Sequence, residues 1–226
     1  HDGFDGVASF GLRQSGDITL GSGADLSSDD EIDNGLFKLG YAFSDALSAD
    51  VSWQRFANTA TEPNNGQGTL GTGDAILDRN VEKDIESEVW RAGLAFDPAS
   101  QFIDARLTIY QSTSFVDEFD TTVPRTTLRE IETIGLSLRN AARFDVGGTA
   151  MTLTLGGDWY RDEQTGTDST SVGEDRAGVP NGSSEFAGLF AQIETEIDRP
   201  FGLPGHLIVI PAVRYDEFKS DADVST

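Results

Sequence analysis

The sequence predicts an all-β fold, an antiparallel up-and-down meander of about nine strands, and three observations carry that expectation. Apolar and polar residues alternate with a period of two along most segments, as in strands with one apolar and one wet face. Long polar loops and short turns take turns in connecting these segments. The tryptophans, Trp53, Trp90 and Trp159, all fall on the apolar parity of their segments, each near its long-loop end. Helical periodicity is nearly absent.

Residues 6–13 form the first candidate strand, with Ala8, Phe10 and Leu12 set against Val7, Ser9 and Gly11. Residues 14–34 carry Gly16, Gly21 and Gly23, then Asp25, Asp29, Asp30, Glu31 and Asp33, and read as a long loop. Residues 35–43 and 47–56 make a hairpin about the tight turn 44–46. Phe37, Leu39 and Tyr41 share one face of its first arm, and Leu47, Ala49, Val51 and Trp53 one face of its second. A second polar loop covers 57–84. In 85–96, Trp90, Ala92, Leu94 and Phe96 oppose Arg91 and Gly93. After a turn at 97–101, residues 102–112 set Ile103, Ala105, Leu107 and Ile109 against Asp104, Arg106, Thr108 and Tyr110.

A third loop covers 113–126. Residues 127–144 follow, with Ile134, Leu136 and Leu138 against Thr133, Ser137 and Arg139. A turn at 145–148 leads into 149–162. There Met151, Leu153, Leu155 and Trp159 face away from Thr152, Thr154, Asp158 and Tyr160. The fourth long loop is 163–183. Strand 184–197, a short connection at 198–206 and strand 207–216 complete the meander.

Composition restricts the function classes. The chain of 226 residues carries 39 acids against 16 bases, a net charge of -23, and three of those bases are lysines. Phosphate binding needs basic stripes, so a nucleic-acid surface is excluded. There is no cysteine, hence no disulfide framework and no thiolate metal site. No apolar run reaches the roughly 18 residues of a membrane-spanning helix. The chain opens on His1 without an initiator Met, and both ends read as internal to a longer protein.

In a meander, strict alternation of long and short connections gathers the long loops at one rim and the turns at the other. Bacterial outer-membrane barrels sort their loops in this way, with strands of alternating apolarity. The strand lengths suit a tilted crossing of the hydrocarbon layer, about 9–11 residues. Tryptophans at the long-loop end, and Phe43 and Phe96 at the turn end, have the placement of two interfacial girdles. The opposite parity carries Arg91, Asp104, Arg106, Arg139, Asp158, Glu194, Glu196 and Arg214. A polar lumen accommodates these, whereas a sandwich core does not.

Three segments resemble the barrel of TonB-dependent outer-membrane receptors, most closely the haem/haemoglobin/transferrin branch. They are 35–41 with 47–56, then 155–162 ending in Tyr160-Arg161-Asp162, and 190–194 followed by Ile210-Pro211-Ala212-Val213-Arg214-Tyr215-Asp216. The resemblance spans essentially the whole chain. It implies that residues 1–226 are part of a 22-stranded barrel with a plugged lumen, the plug and the remaining strands lying outside this chain. It implies location in the outer membrane, contact with its lipid, and energy from the TonB complex relayed through the plug. The implied function is active import of an iron source, with haem or a ferric chelate as transported ligand rather than resident cofactor. A haem- or iron-carrying protein is the implied partner. A siderophore or other nutrient transporter is one alternative. A passive porin or adhesin-like barrel, which shares the same wall physics, is another.

Ligand-binding candidates are few. Neither histidine lies in a long loop: His1 opens the chain and His206 follows the last short turn. A haem site ligated by loop histidines of this chain is therefore excluded. Tyr110 and Tyr160 have lumen parity near the outer rim and are the candidate ligand contacts, since binding sites form where polar groups converge. Asp25, Asp29, Asp30, Glu31 and Asp33 supply the oxygens that Ca²⁺ prefers, without the spacing of an EF-hand loop. Catalysis near neutral pH usually draws on a histidine base. None is available at the outer rim, so the chain is not read as an enzyme.

Overall fold

The computed structural model describes residues 3–23, 25–63, 80–121, 124–169 and 181–222. The predicted loop residues 64–79 and 170–180, and His1, lie outside the described residues. Twelve strands are described: β1 (Gly3–Ser15), β2 (Ile18–Thr19), β3 (Asp25–Leu26), β4 (Asp30–Ser44), β5 (Leu47–Pro63), β6 (Asn80–Phe96), β7 (Ala105–Asp120), β8 (Arg125–Val146), β9 (Thr149–Asp168), β10 (Gly182–Asp198), β11 (His206–Val209) and β12 (Ala212–Ala222). β2 and β3 pair only with each other. The rest form one antiparallel sheet in the order β1-β4-β5-β6-β7-β8-β9-β10, with β11 and β12 both on β10. Counting β11 and β12 as one interrupted strand gives the nine-strand meander expected.

Turn chemistry fixes the short connections. At 44–46 the Ser44 hydroxyl accepts the backbone N–H groups of Ala46 and Leu47 at 3.2 and 3.1 Å. Between β8 and β9, Gly147 and Gly148 both hold positive φ, 64° and 84°. Two such residues in succession suit the twist of a two-residue hairpin, and the Gly148 N–H donates to Asp145 Oδ1 at 2.8 Å.

The strands are longer than the alternation predicts, and the expected loops are correspondingly shorter. The loop expected at 113–126 is largely strand: pairing runs from Thr113 with Glu132 to Asp120 with Arg125. Likewise β5 reaches Pro63, β6 starts at Asn80, and β9 continues to Asp168. The cause is that hydropathic alternation stops at the tryptophans while the backbone ladder does not. Beyond them, a row such as Arg55, Glu88, Thr113, Glu132 and Glu163 is polar, yet remains in register.

Two further boundaries differ. Residues 102–104, expected to open β7, lie in the connection. There the Asn140 side chain accepts from Asp104 N–H and donates to the Phe102 carbonyl, each at 3.1 Å, beside a backbone bond from Ala141 N–H to the Asp104 carbonyl at 3.0 Å. The last strand is interrupted at Ile210 and Pro211, because proline offers no N–H to β10.

Register places the apolar parity in continuous rows. One row is Val51, Ala92, Ile109, Leu136, Trp159 and Ala187; the next is Ala49, Leu94, Leu107, Leu138, Gly157 and Leu189. This face is open, with Leu138 50% and Leu189 67% exposed. Among the described residues, only Ala57 and Ala60 are buried apolar side chains. A single sheet therefore has no protein core to bury this face against, and the face has the chemistry that lipid would cover.

Candidate functional site

The polar face carries its own row across the sheet. Tyr110 on β7 pairs with Gly135 on β8, Gly135 with Tyr160 on β9, and Tyr160 with Phe186 on β10. The two tyrosines expected as ligand contacts are thus brought together, flanking one glycine. The Tyr110 ring lies over Gly135, where an added Cβ would collide with the tyrosine Cζ. Tyr160 and Phe186 stack with centroids 5.0 Å apart and planes 17° from parallel. The Arg214 guanidinium sits 5.6 Å from the Phe186 ring centroid, within cation–π range.

Carboxylates hold this group in place. Arg214 donates from Nε to Asp216 Oδ1 at 2.7 Å and from Nη1 to Asp158 Oδ2 at 3.2 Å. Asp162 accepts from the Thr133 and Ser184 hydroxyls at 2.7 and 3.2 Å. The patch therefore offers ring faces for stacking beside an oriented guanidinium. No nucleophile–base pair accompanies these groups among the described residues of the patch. Phe186 was missed by sequence reasoning. Its signal was an aromatic residue on the wet parity of its strand, but only the cross-strand register shows that Tyr160 receives it.

The acidic candidates disperse. Asp25 accepts from the Thr19 hydroxyl at 2.8 Å within the β2–β3 pair. The Asp29 carbonyl accepts from Thr61 N–H at 2.9 Å. Asp30 forms an ion pair with Arg13, and Asp33 one with Arg55 at 3.0 Å. By strand parity, Glu31 and Asp33 point away from the face that Asp30 occupies. The described grouping of metal-ligating side chains is instead Glu196, Asp198 and His206, at the short-turn rim.

Above the tyrosine row, an ion-pair ladder ties four strands on the polar face. Lys83 on β6 meets Glu62 on β5 at 2.7 Å and Glu118 on β7 at 3.6 Å, and Glu118 meets Arg129 on β8 at 2.9 Å. The hydrogen bond to Glu62 leads the influences that raise the Lys83 pKa; burial opposes it, and the charge of Glu118 reinforces it. On the apolar face, Trp53 and Trp90 both donate their indole N–H to Glu88 Oε1, the former at 2.9 Å. Trp159 donates to Glu185 at 3.2 Å. Each tryptophan thus keeps its ring on the apolar rows and its N–H against the first acids beyond them, the posture of an interfacial aromatic.

The family described as TonB dependent receptor-like, beta-barrel, matches residues 3–226. Two curated relatives named hemin receptor, from Yersinia pestis and Yersinia enterocolitica, are each 24% identical across 98% of the chain. The chain spans 31% and 30% of their respective lengths. Among solved structures, the ferric citrate transporter FecA aligns with a TM-score of 0.68 at 16% identity, covering 98% of this chain and 34% of that one. The hemophore receptor HasR of Serratia marcescens, solved with its hemophore HasA and heme, aligns with a TM-score of 0.64 at 15% identity. That alignment covers 96% of this chain and 37% of HasR. The copper transporter OprC aligns with a TM-score of 0.62 at 12% identity, over 97% of this chain and 38% of OprC. These three likenesses carry the fold.

Proposed function

Because the chain belongs to the TonB-dependent receptor β-barrel family of the bacterial outer membrane, we propose that it forms part of the wall of an active importer of an iron source, haem or a haem- or iron-carrying protein. The observation that carries the reading is the lumen-facing row of Tyr110, Tyr160 and Phe186 with Arg214 against it. Stacked rings beside a guanidinium suit a planar conjugated ligand bearing carboxylates. The relatives named hemin receptor support the same cargo class. In this reading the energy comes from the TonB complex, acting through a plug outside this chain.

A second reading, import of another ferric chelate, has its own support. Asp158, Asp162 and Asp216 outnumber Arg214 at the patch, and acidic walls disfavour free anionic ligands. The same acidity favours haem delivered on a carrier protein over free haem. The test is growth of a receptor-deleted strain, complemented with the full-length gene, on haem, haemoglobin or ferric citrate as sole iron source. Rescue on haem or haemoglobin alone supports the proposal. Rescue on ferric citrate without rescue on either haem source refutes it in favour of the second reading.

A further inference from the structure

We infer that Glu196, Asp198 and His206 form a binding site for a divalent first-row transition ion of the Zn²⁺ class, at the short-turn end of the β10–β11 hairpin. Asp198 and His206 are direct cross-strand partners, and Glu196 lies two residues back on the same face of β10. His206 Nδ1 is 2.6 Å from Asp198 Oδ1 and 3.5 Å from Glu196 Oε1. The three ligand atoms lie within 4.8 Å of one another.

Zinc bonds to imidazole nitrogen and carboxylate oxygen run about 2.0–2.2 Å, so donors on one ion sit at most about 4.4 Å apart. Small rotations of three exposed side chains therefore close the site. Two carboxylates match the charge of the ion, and the imidazole selects a transition ion over Mg²⁺ or Ca²⁺, which favour oxygen. Water would complete the coordination. The same imidazole nitrogen, Nδ1, faces both carboxylates.

Both strands hold the ligands on a ladder rather than on a free loop. Residues 199–205 close back on themselves through Arg199 N–H to the Gly205 carbonyl at 2.9 Å. The staple falls where pairing is thinnest, since β11 is four residues long and the ladder breaks at Pro211. An ion here would cross-link β10 to β11 on the lumen parity, at the rim opposite the tryptophans.

The test is Zn²⁺ titration calorimetry on the full-length receptor in detergent, comparing wild type with His206→Ala, Asp198→Asn and Glu194→Gln. Glu194 has the same parity as Glu196 but lies outside the cluster, and the substituted ligands are exposed. Wild type and Glu194→Gln are expected to bind one more equivalent of Zn²⁺ than the two ligand variants. Equal Zn²⁺ binding by wild type and His206→Ala overturns the site, leaving only the His206–Asp198 contact. Full displacement of this Zn²⁺ by equimolar Mg²⁺ overturns the choice of ion.

Discussion

Arginine at Leu155 and arginine at Thr154 should have opposite consequences, although the two positions are adjacent. Leu155 lies midway along the apolar run Met151, Leu153, Leu155, Gly157 and Trp159 of β9, on the outward face and 48% exposed. Its row neighbours are Asn140 and Ala191. The nearest outward-facing charge on β9 toward the tryptophan end is Arg161, six residues away. A guanidinium at such a midplane position costs about 2–4 kcal/mol in a lipid-facing strand. That is roughly a 30- to 700-fold shift in the folding equilibrium, at about 1.4 kcal/mol per factor of ten. Thr154 faces the lumen between Ala141 and Gln192, where a long cation reaches water. Reversible denaturant unfolding of the full-length barrel in lipid vesicles measures both. A Thr154→Arg penalty equal to that of Leu155→Arg would refute the assignment of lipid and lumen faces.

Gly135→Leu places a side chain where the Tyr110 ring lies. It is expected to cost about 1–3 kcal/mol if the ring stays; if the ring moves, cargo affinity should fall with stability preserved. Unfolding and ligand titration on one sample separate these, and a variant unchanged in both contradicts the packed tyrosine row. Lys83 gives a pH prediction. Its folded pKa is raised above 10.5, chiefly by Glu62, so its contribution is fully present below 10.5 and lost as pH rises through the folded pKa. Lys83→Gln should therefore be less stable than wild type at neutral pH, with the gap closing under strongly alkaline conditions. A gap independent of pH would assign the effect to packing instead of charge.

The sequence made the lower part of the sheet legible because lipid and lumen impose opposite chemistries on alternate residues. Leu107 against Thr108, or Leu138 against Ser137, could be assigned to a face without coordinates. Above Trp90 that contrast disappears. Glu86 and Glu88 have one parity and Ser87 the other, all of them polar, and in Thr113 to Asp120 the apolar Phe115 and Val116 are adjacent, so neither segment alternates and the ladder there reads as a loop. The 102–104 segment misled for another reason: Ile103 fits the apolar parity of β7, but Asn140 holds its neighbours outside the strand. Sites depend on register, which is set between strands. Tyr110 and Tyr160 could be placed on the lumen parity individually. Their shared row with Phe186, and the meeting of His206 with Asp198, follow from pairings that no single strand displays.

The acid excess itself locates the membrane. On the outward parity of β5 to β9, residues between the turn rim and the tryptophans are Leu, Ala, Val, Ile, Phe, Met, Gly and Trp, with Thr149 at the rim of β9 and Asn140 low on β8. Past the tryptophans the same parity carries Asp33 on β4 and Glu86, Glu88, Glu130, Glu132 and Glu163, against Arg55 and Arg161. From Met151 to Trp159 is about 26 Å along a strand rising about 3.3 Å per residue. Tilted by about 40°, that run spans about 20 Å of the membrane normal, close to the roughly 25 Å apolar band of such barrels. The remaining nine residues of β9, Tyr160 to Asp168, then rise into water, held by strand pairing and by ion pairs such as Arg125 with Asp168. Because this upper sheet gains nothing from lipid, substitution of its outward charges should leave bilayer folding nearly unchanged. The penalty for arginine should therefore step up sharply on crossing the tryptophan row toward Leu155.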